Sequence, residues 1–289
     1  MSTSDGRVVI VTGAGQGIGR AHALAFAADG AQVVVNDMGE SADETAAEIR
    51  ALGGTAIASR GDVSDWQYGE QLVKTAVTEL GGLHALVNNA GLVRDRMLVN
   101  MSEDEWDLVL KVDLKGHFVP LRHAAAYWRA LSKEGSPVAA RVVNTSSGAG
   151  LMGSVGQGNY SAAKAGVVAL TQVAAVEMSR FGVLLNAIAP AARTPMTEAV
   201  FAETMAKPET GFDPMDPANV SPLVVWLASE DCDLTGRVFE VEAGVISPAD
   251  GWQHGPREDR GERWPVAEVG PAVRRLLAQA PPQVKPYGA

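Results

Sequence analysis

Short apolar runs rich in β-branched residues recur along the chain at 7–11, 32–36, 55–59, 84–88, 141–144, 183–189 and 236–245. They read as strands. Between them lie longer stretches whose apolar residues return every three or four positions, and several open on a helix-start signature: Ser41-x-x-Glu44, Ser64-x-x-Gln67 and Ser102-x-x-Glu105 have the spacing of capping boxes. Helices are also expected over 18–29, 111–128, 159–180 and 217–228. The runs are apolar throughout rather than alternating, as in strands buried on both faces. Strand and helix units in this alternation predict an α/β chain whose parallel sheet of about seven strands carries helices on both faces.

The pattern changes twice. Residues 191–217 are rich in Met, Thr and Pro without periodicity, a length typical of an active-site lid. Leu151, Met152, Val155, Met196, Phe201, Met205 and Phe212 are candidates for an apolar cleft beneath it, or for loop residues packed on the core. Beyond Gly251 the chain becomes charged, and Val266, Val269, Val273, Leu276 and Leu277 mark one helix before a Pro-rich end. The expected organisation is therefore one domain over 1–250 and a C-terminal tail with a short helix over 251–289. Residues 132–137, polar with Gly and Pro, read as a surface insertion. The helix at 111–128 is apolar on more than one side, as in a helix held between layers or at a contact between copies. A homo-oligomer is expected.

Composition narrows the partners. With 34 acidic against 24 basic residues the net charge is −10, which argues against nucleic acid or an anionic membrane. No apolar run reaches the ~18 residues of a membrane span, and the N-terminus lacks a basic-then-apolar leader. A cytoplasmic protein is expected. The lone Cys232 forms no internal disulfide, and the five histidines are scattered without metal-site spacing, so no metal is proposed.

The first strand runs into TGAGQGIG (residues 12–19). A strand, glycines and a helix opening bring backbone amides to a pyrophosphate, as in dinucleotide folds. Gly13, Gly17 and Gly19 carry the motif, and Asp37 stands eighteen residues past Gly19 at the end of the second strand. A carboxylate there hydrogen-bonds ribose hydroxyls and repels the extra phosphate of NADP. Neither Gln16 nor Met38 offers a compensating cation. NAD is thus the expected cofactor, with NADP second.

A second constellation lies in NTSSGAGLMGSVGQGNYSAAKAG (144–166). Tyr160 and Lys164 are four apart among helix formers and share a face, and Ser147 lies thirteen residues upstream at the end of the fifth strand. A phenol with an ordinary pKa of about 10 is a poor base, and a neighbouring ammonium lowers that value. Tyr160 is then a candidate general acid and base, with Ser147 holding the reacting oxygen.

Taken in order, TGAGQGIG, Asp37, Asp62-Val63, Asn88-Asn89-Ala90-Gly91, Ser147, Tyr160 and Lys164 resemble the short-chain dehydrogenase/reductase family across nearly all of 7–250. The resemblance implies one Rossmann-like, doubly wound dinucleotide-binding domain and hydride transfer between a nicotinamide and a substrate carbon. It implies that Asp62 and Val63 contact adenine and that Asn89, Ala90 and Gly91 line the adenosine side. Lys164 would bind the nicotinamide ribose as well as tune Tyr160. Gln16, Ile18, Pro190 and Thr194 join the cofactor-binding set. Family members are commonly dimers or tetramers.

Two departures stand out. Asp113, in Val112-Asp113-Leu114-Lys115-Gly116, occupies the position of the family's catalytic Asn and joins the catalytic candidates: it could orient a water, while its charge would oppose the phenolate and raise the Tyr160 pKa; Pro190-Ala191 replaces the usual Pro-Gly. NAIAPAARTPMT and VVVNDMG are similar to the (3R)-hydroxyacyl-CoA dehydrogenase branch, found in multifunctional enzyme type 2 and in free-standing bacterial relatives. The expected substrate is then a 3-hydroxyacyl-CoA, expected to be served without a fused hydratase. The alternatives are a hydroxysteroid dehydrogenase, an NADPH-dependent 3-oxoacyl reductase, or a catalytically silent NAD-binding regulatory protein.

Overall fold

A computed structural model describes residues 2–194, 205–249, 251–282 and 284–289. Eight strands form one sheet: β1 (Val8–Val11), β2 (Gln32–Asp37), β3 (Thr55–Arg60), β4 (Ala85–Asn88), β5 (Ala140–Thr145), β6 (Val183–Ala191), β7 (Val238–Glu242) and β8 (Val245–Pro248). Their order is β3-β2-β1-β4-β5-β6-β7-β8. All neighbours pair in parallel except the last two. The order reverses between β1 and β4, so the carboxyl ends of these strands open a crevice.

The period of two along β1 sorts its residues to opposite faces. Val9 and Val11 pack with Phe26 and Ile49 under α1 (Gly17–Ala28) and α2 (Ser41–Ala51). Val8 and Ile10 pack with Leu72 and Trp128 under α3 (Trp66–Leu80) and the long helix described next. Trp128 donates its indole N–H to Leu83 O at 2.7 Å, which satisfies the one polar atom of a large buried ring.

That long helix is two expected helices run together. α4 (Glu103–Val109) passes through a π-helical segment, Leu110–Lys115, into α5 (Gly116–Lys133). Such wide turns occur often at functional sites, and this one holds Asp113. Among the described residues the remaining α-helices are α6 (Gly148–Met152), α7 (Gly158–Ser179), α8 (Ser221–Leu227) and α9 (Val266–Leu277).

Several local expectations are corrected. Only Ser102 and Glu105 form a capping box. Ser41 is already inside α2, whose cap is Glu40, and α3 is capped by Asp65, whose carboxylate accepts from Tyr68 N. The expected seventh strand over 236–245 is instead a hairpin. Ala243-Gly244 turns the chain between Glu242 and Val245, with Ala243 at φ 52°. Two-residue hairpin turns demand this left-handed backbone, which an Ala does not advertise. β8 is thus an eighth, antiparallel edge strand.

Candidate active site

The crevice is one continuous cleft along the carboxyl ends of the strands. Gly13, Gln16, Gly17, Ile18, Gly19, Asp37, Asp62, Val63, Asn89, Ala90, Gly91, Ser147, Tyr160, Lys164, Pro190 and Thr194 all line it. Of the residues singled out from the sequence for chemistry, Asp113 alone stands back from its wall.

The far end is built from the first four strands. Gly13 has φ +61°, and a Cβ on it would lie 2.7 Å from Ala90 Cα. Only glycine permits that approach. Thr12 Oγ1 accepts from Asn89 N at 2.9 Å and Ala90 N at 3.2 Å, while the Asn89 amide donates to Thr12 O at 3.1 Å and Gly13 O at 3.3 Å. The glycine loop and the β4 exit are therefore locked together. Asp37 accepts from Gly15 N at 3.0 Å and from Met38 N at 2.7 Å, which fixes its carboxylate beside the loop. At the start of α1, Gln16 makes no side-chain cap and no acid occupies the first turn. The leading amides are thus left to an anion.

Asp62 accepts from Ser64 N at 2.9 Å and Ser64 Oγ at 2.6 Å and pairs with Lys111 at 3.0 Å. Burial pushes its carboxyl up, but the Ser64 and Lys111 hydrogen bonds outweigh this and hold it below the ordinary value.

The near end forms where β5 and α7 meet. Ser147 caps α6 and accepts from Ala149 N at 3.2 Å. Tyr160 and Lys164 project from the first two turns of α7. Lys164 is 2% exposed; its Nζ donates to Thr145 O at 3.0 Å, lies 3.2 Å from Asp113 Oδ1, and stands 5.6 Å from the Tyr160 ring centroid. Ser146 Oγ ties the backbone beneath it by donating to Lys164 O at 2.9 Å. Asp113 Oδ2 accepts from Leu92 N at 3.0 Å.

These neighbours decide the charges. Burial pushes the Asp113 carboxyl up, against the pull of Lys164 and the Leu92 amide. Burial also pushes the Tyr160 phenol above its ordinary 10. Lys164 and the Ser147 hydrogen bond pull the phenol down and Asp113 pushes it up again. Lys164 thus lowers the phenol's pKa as expected, while desolvation and the Asp113 charge outweigh that pull.

Sequence reasoning missed several supporting residues. Thr12 and Gly15 lie within the motif but outside its Gly13, Gly17 and Gly19 spacing. Thr145 supports Lys164 through its carbonyl, which no side-chain pattern reveals. Asn159 donates to Arg94 O and Glu105 O, both at 3.1 Å, and so straps residues 94–105 to α7. Its partners lie more than fifty residues away. Of the apolar cleft candidates Met205 lines the cleft. Leu151 is partly buried, Met152, Val155 and Phe212 are exposed, and Met196 and Phe201 lie outside the described residues. Among the described residues there is no cluster of three or more His, Cys, Asp or Glu that could hold a metal, and no helix is long and apolar enough to cross a membrane.

Residues 7–204 match the family described as short chain dehydrogenase. The chain is similar to hydroxyacyl-CoA dehydrogenase ChsB1 of Mycobacterium tuberculosis, at 44% identity over 96% of this chain and 90% of that protein. It is similar to peroxisomal multifunctional enzyme type 2 of Mus musculus at 43% identity, over 84% of this chain and 32% of that longer protein. A solved short chain dehydrogenase from Mycobacterium avium superposes with a TM-score of 0.93 at 58% identity, covering 99% of this chain and 100% of the other.

Proposed function

Since the chain belongs to the short chain dehydrogenase family and is an oxidoreductase that interconverts alcohols and ketones, we propose that it passes a hydride between NAD and the hydroxyl-bearing carbon of a 3-hydroxyacyl-CoA. The single observation that carries this reading is the cleft itself, with Asp37 and the α1 N-terminus at one end and Ser147, Tyr160 and Lys164 at the other. The residues suit a dinucleotide. The amides of Gly17, Ile18 and Gly19 would receive the pyrophosphate, Asp37 the adenosine ribose, Asp62 and Val63 the adenine, and Lys164 the nicotinamide ribose.

NAD is preferred to NADP on electrostatic grounds. Arg60 is the cation in register with Asp37, and it is engaged by Asp43 and by Glu40, the latter at 3.7 Å. A second phosphate would meet Asp37 without a free cation from that strand.

In the reaction the nicotinamide supplies the hydride acceptor and a positive ring charge. Ser147 would hold the substrate oxygen, and Tyr160 would take its proton during oxidation and return it to the carbonyl during reduction. Lys164, fixed by Thr145 and Asp113, would stabilise the phenolate. Asp113 acts from behind Lys164, setting its position and damping its pull on Tyr160.

The substrate class follows the similarity to hydroxyacyl-CoA dehydrogenase ChsB1. Purified protein should generate NADH absorbance from NAD and (3R)-hydroxyacyl-CoA thioesters. Turnover confined to hydroxysteroids, or a clear preference for NADP, would overturn the corresponding part of the reading. A homodimer or homotetramer is consistent with the exposed Trp66 and Phe118, whose ring centres are 6.3 Å apart on α3 and α5. Light scattering at working concentration tests that state, and cell fractionation tests a cytoplasmic location.

A further inference from the structure

The cleft wall contains a third carboxylate besides Asp37 and Asp62. Asp95 lines it together with Ser147, Gln157 and Tyr160, and it is exposed rather than packed. Exposed carboxylates ordinarily turn freely in water. This one is held, because the Gln157 amide donates to both of its oxygens, to Oδ1 at 3.1 Å and to Oδ2 at 3.0 Å. The backbone around it is fixed as well: Asn159 donates to Arg94 O at 3.1 Å, and Arg96 N donates to Gly156 O at 2.7 Å.

The flanking cations leave Asp95 uncompensated. Arg96 is engaged by Glu105 Oε1 at 2.9 and 3.1 Å, and Arg94 turns back to donate to Val93 O at 2.8 Å. The resulting charge is felt at the reacting groups. Burial comes first among the causes that raise the Tyr160 phenol, and the Asp113 and Asp95 charges push in the same direction. Asp113 stands behind Lys164, whereas Asp95 stands in the wall itself. A fixed charge without a counter-ion repels a like charge brought into the same cleft, and such repulsion excludes wrong ligands as effectively as contacts select the right one.

Substrate chemistry identifies the like charge that matters. When Ser147 and Tyr160 hold the oxygen on C3, C1 of a 3-hydroxyacyl group lies only two bonds from the reacting carbon. In a free 3-hydroxy acid C1 is a carboxylate, ionised at neutral pH. In a thioester it is neutral. The CoA phosphates lie a whole pantetheine arm away, beyond the Debye length of ~8 Å at physiological ionic strength.

We propose that Asp95 is a specificity-determining residue: its carboxylate, held by Gln157 in the cleft wall with Tyr160, excludes substrates charged at C1, so that 3-hydroxyacyl groups are accepted as thioesters and rejected as free acids. The proposal rests on the function proposed above in taking the substrate as a 3-hydroxyacyl group, and it deepens that reading by naming the residue that demands a neutral C1.

The test reduces 3-oxo acids, their ethyl esters and their CoA thioesters, at matched short and long chain lengths, with NADH in wild type, Asp95→Asn, Asp95→Ala and Asp95→Glu. Acid and ester share the reacting carbonyl and differ at C1, so the ratio of their kcat/KM values reads the exclusion. That ratio should rise about tenfold in Asp95→Asn and Asp95→Ala, the effect of removing a like charge from a solvent-exposed site. Asp95→Glu keeps the charge and should keep the exclusion. In wild type the ratio should also climb with added salt, which screens the repulsion. A residue that merely shaped the wall would show no such dependence. Asp95 is exposed, so its replacement leaves the core intact.

A ratio that is the same in wild type and Asp95→Asn overturns the exclusion and leaves the proposed function standing. Free acids reduced by wild type as readily as esters overturn it too. If wild type reduces neither esters nor thioesters, the proposed function fails. In that case, or if thioesters alone turn over, the exclusion is read from calorimetric binding to the enzyme–NADH complex. Esters bound without acids in wild type, with both bound in Asp95→Asn, support it, and any other pattern overturns it.

Discussion

The two ends of the cleft are built on different principles. The end that faces the proposed dinucleotide consists of backbone and short polar groups locked by local hydrogen bonds, such as Thr12 to Asn89 and Ala90, and Asp37 to Gly15. The other end is framed by segments far apart in sequence: Arg96 bridges Gln157, and Asn159 holds Arg94 and Glu105 to α7. Rigid preorganisation suits a ligand that is the same in every turnover. An end assembled from distant segments suits the part that must fit one particular substrate. Substitutions at the first end should therefore affect all substrates alike, and those at the second should discriminate between them.

The largest effect is expected where the ends meet. Tyr160→Phe should cut turnover by roughly 10²–10⁴-fold for every substrate while NAD binding persists in calorimetry. A variant with wild-type turnover would remove Tyr160 from the chemistry.

Next comes the far end. Asp37→Ala removes charge-assisted hydrogen bonds worth about 1.5–3 kcal/mol to the ribose, so NAD should bind roughly ten- to a hundredfold more weakly and NADP should be discriminated against less. Equal effects on both cofactors would show that Asp37 shapes the loop rather than reads the ribose.

Asp113→Asn should act through Tyr160. Burial first, then the Asp113 charge against the pull of Lys164, places the phenol above its ordinary value, so removing that charge lowers its pKa. The acid limb of the oxidation rate should move to lower pH, with KM for NAD little changed. A pH profile that stays put would confine Asp113 to holding Lys164.

The last effect is on acid stability and leaves turnover aside. His22 is fully buried, with Nδ1 2.9 Å from Ser221 Oγ, and burial lowers its pKa from 6.5 to about 3. The unfolded chain therefore binds a proton that the folded chain refuses between these values. Stability is fully present above pH 6.5 and should fall as pH drops towards 3, and urea titrations should show a flatter dependence in His22→Gln.

Much of the first end was legible because its determinants are local. Strand, glycine loop, helix start and the acid at the end of β2 follow one another within 31 residues, Arg7 to Asp37, and the parallel core follows from runs such as VVIV, buried on both faces. The trio was legible for a similar reason: a helix fixes Tyr160 over Lys164. The hairpin was not, since an Ala in the left-handed region carries no turn signature. Neither was the continuity of α4 and α5, where each apolar pattern was sound and only the wide turn joining them was hidden.

By itself the sequence determined the α/β architecture, the family and the residues that gather at the cleft, because period, motif spacing and helix geometry act over a few residues at a time. Only the tertiary structure decided that Asp113 stands behind Lys164, that burial keeps the Tyr160 phenol above its ordinary pKa, and that Gln157 holds Asp95 in the cleft wall. Each of these depends on which distant groups desolvate or charge a site, and that is settled by packing rather than by order along the chain.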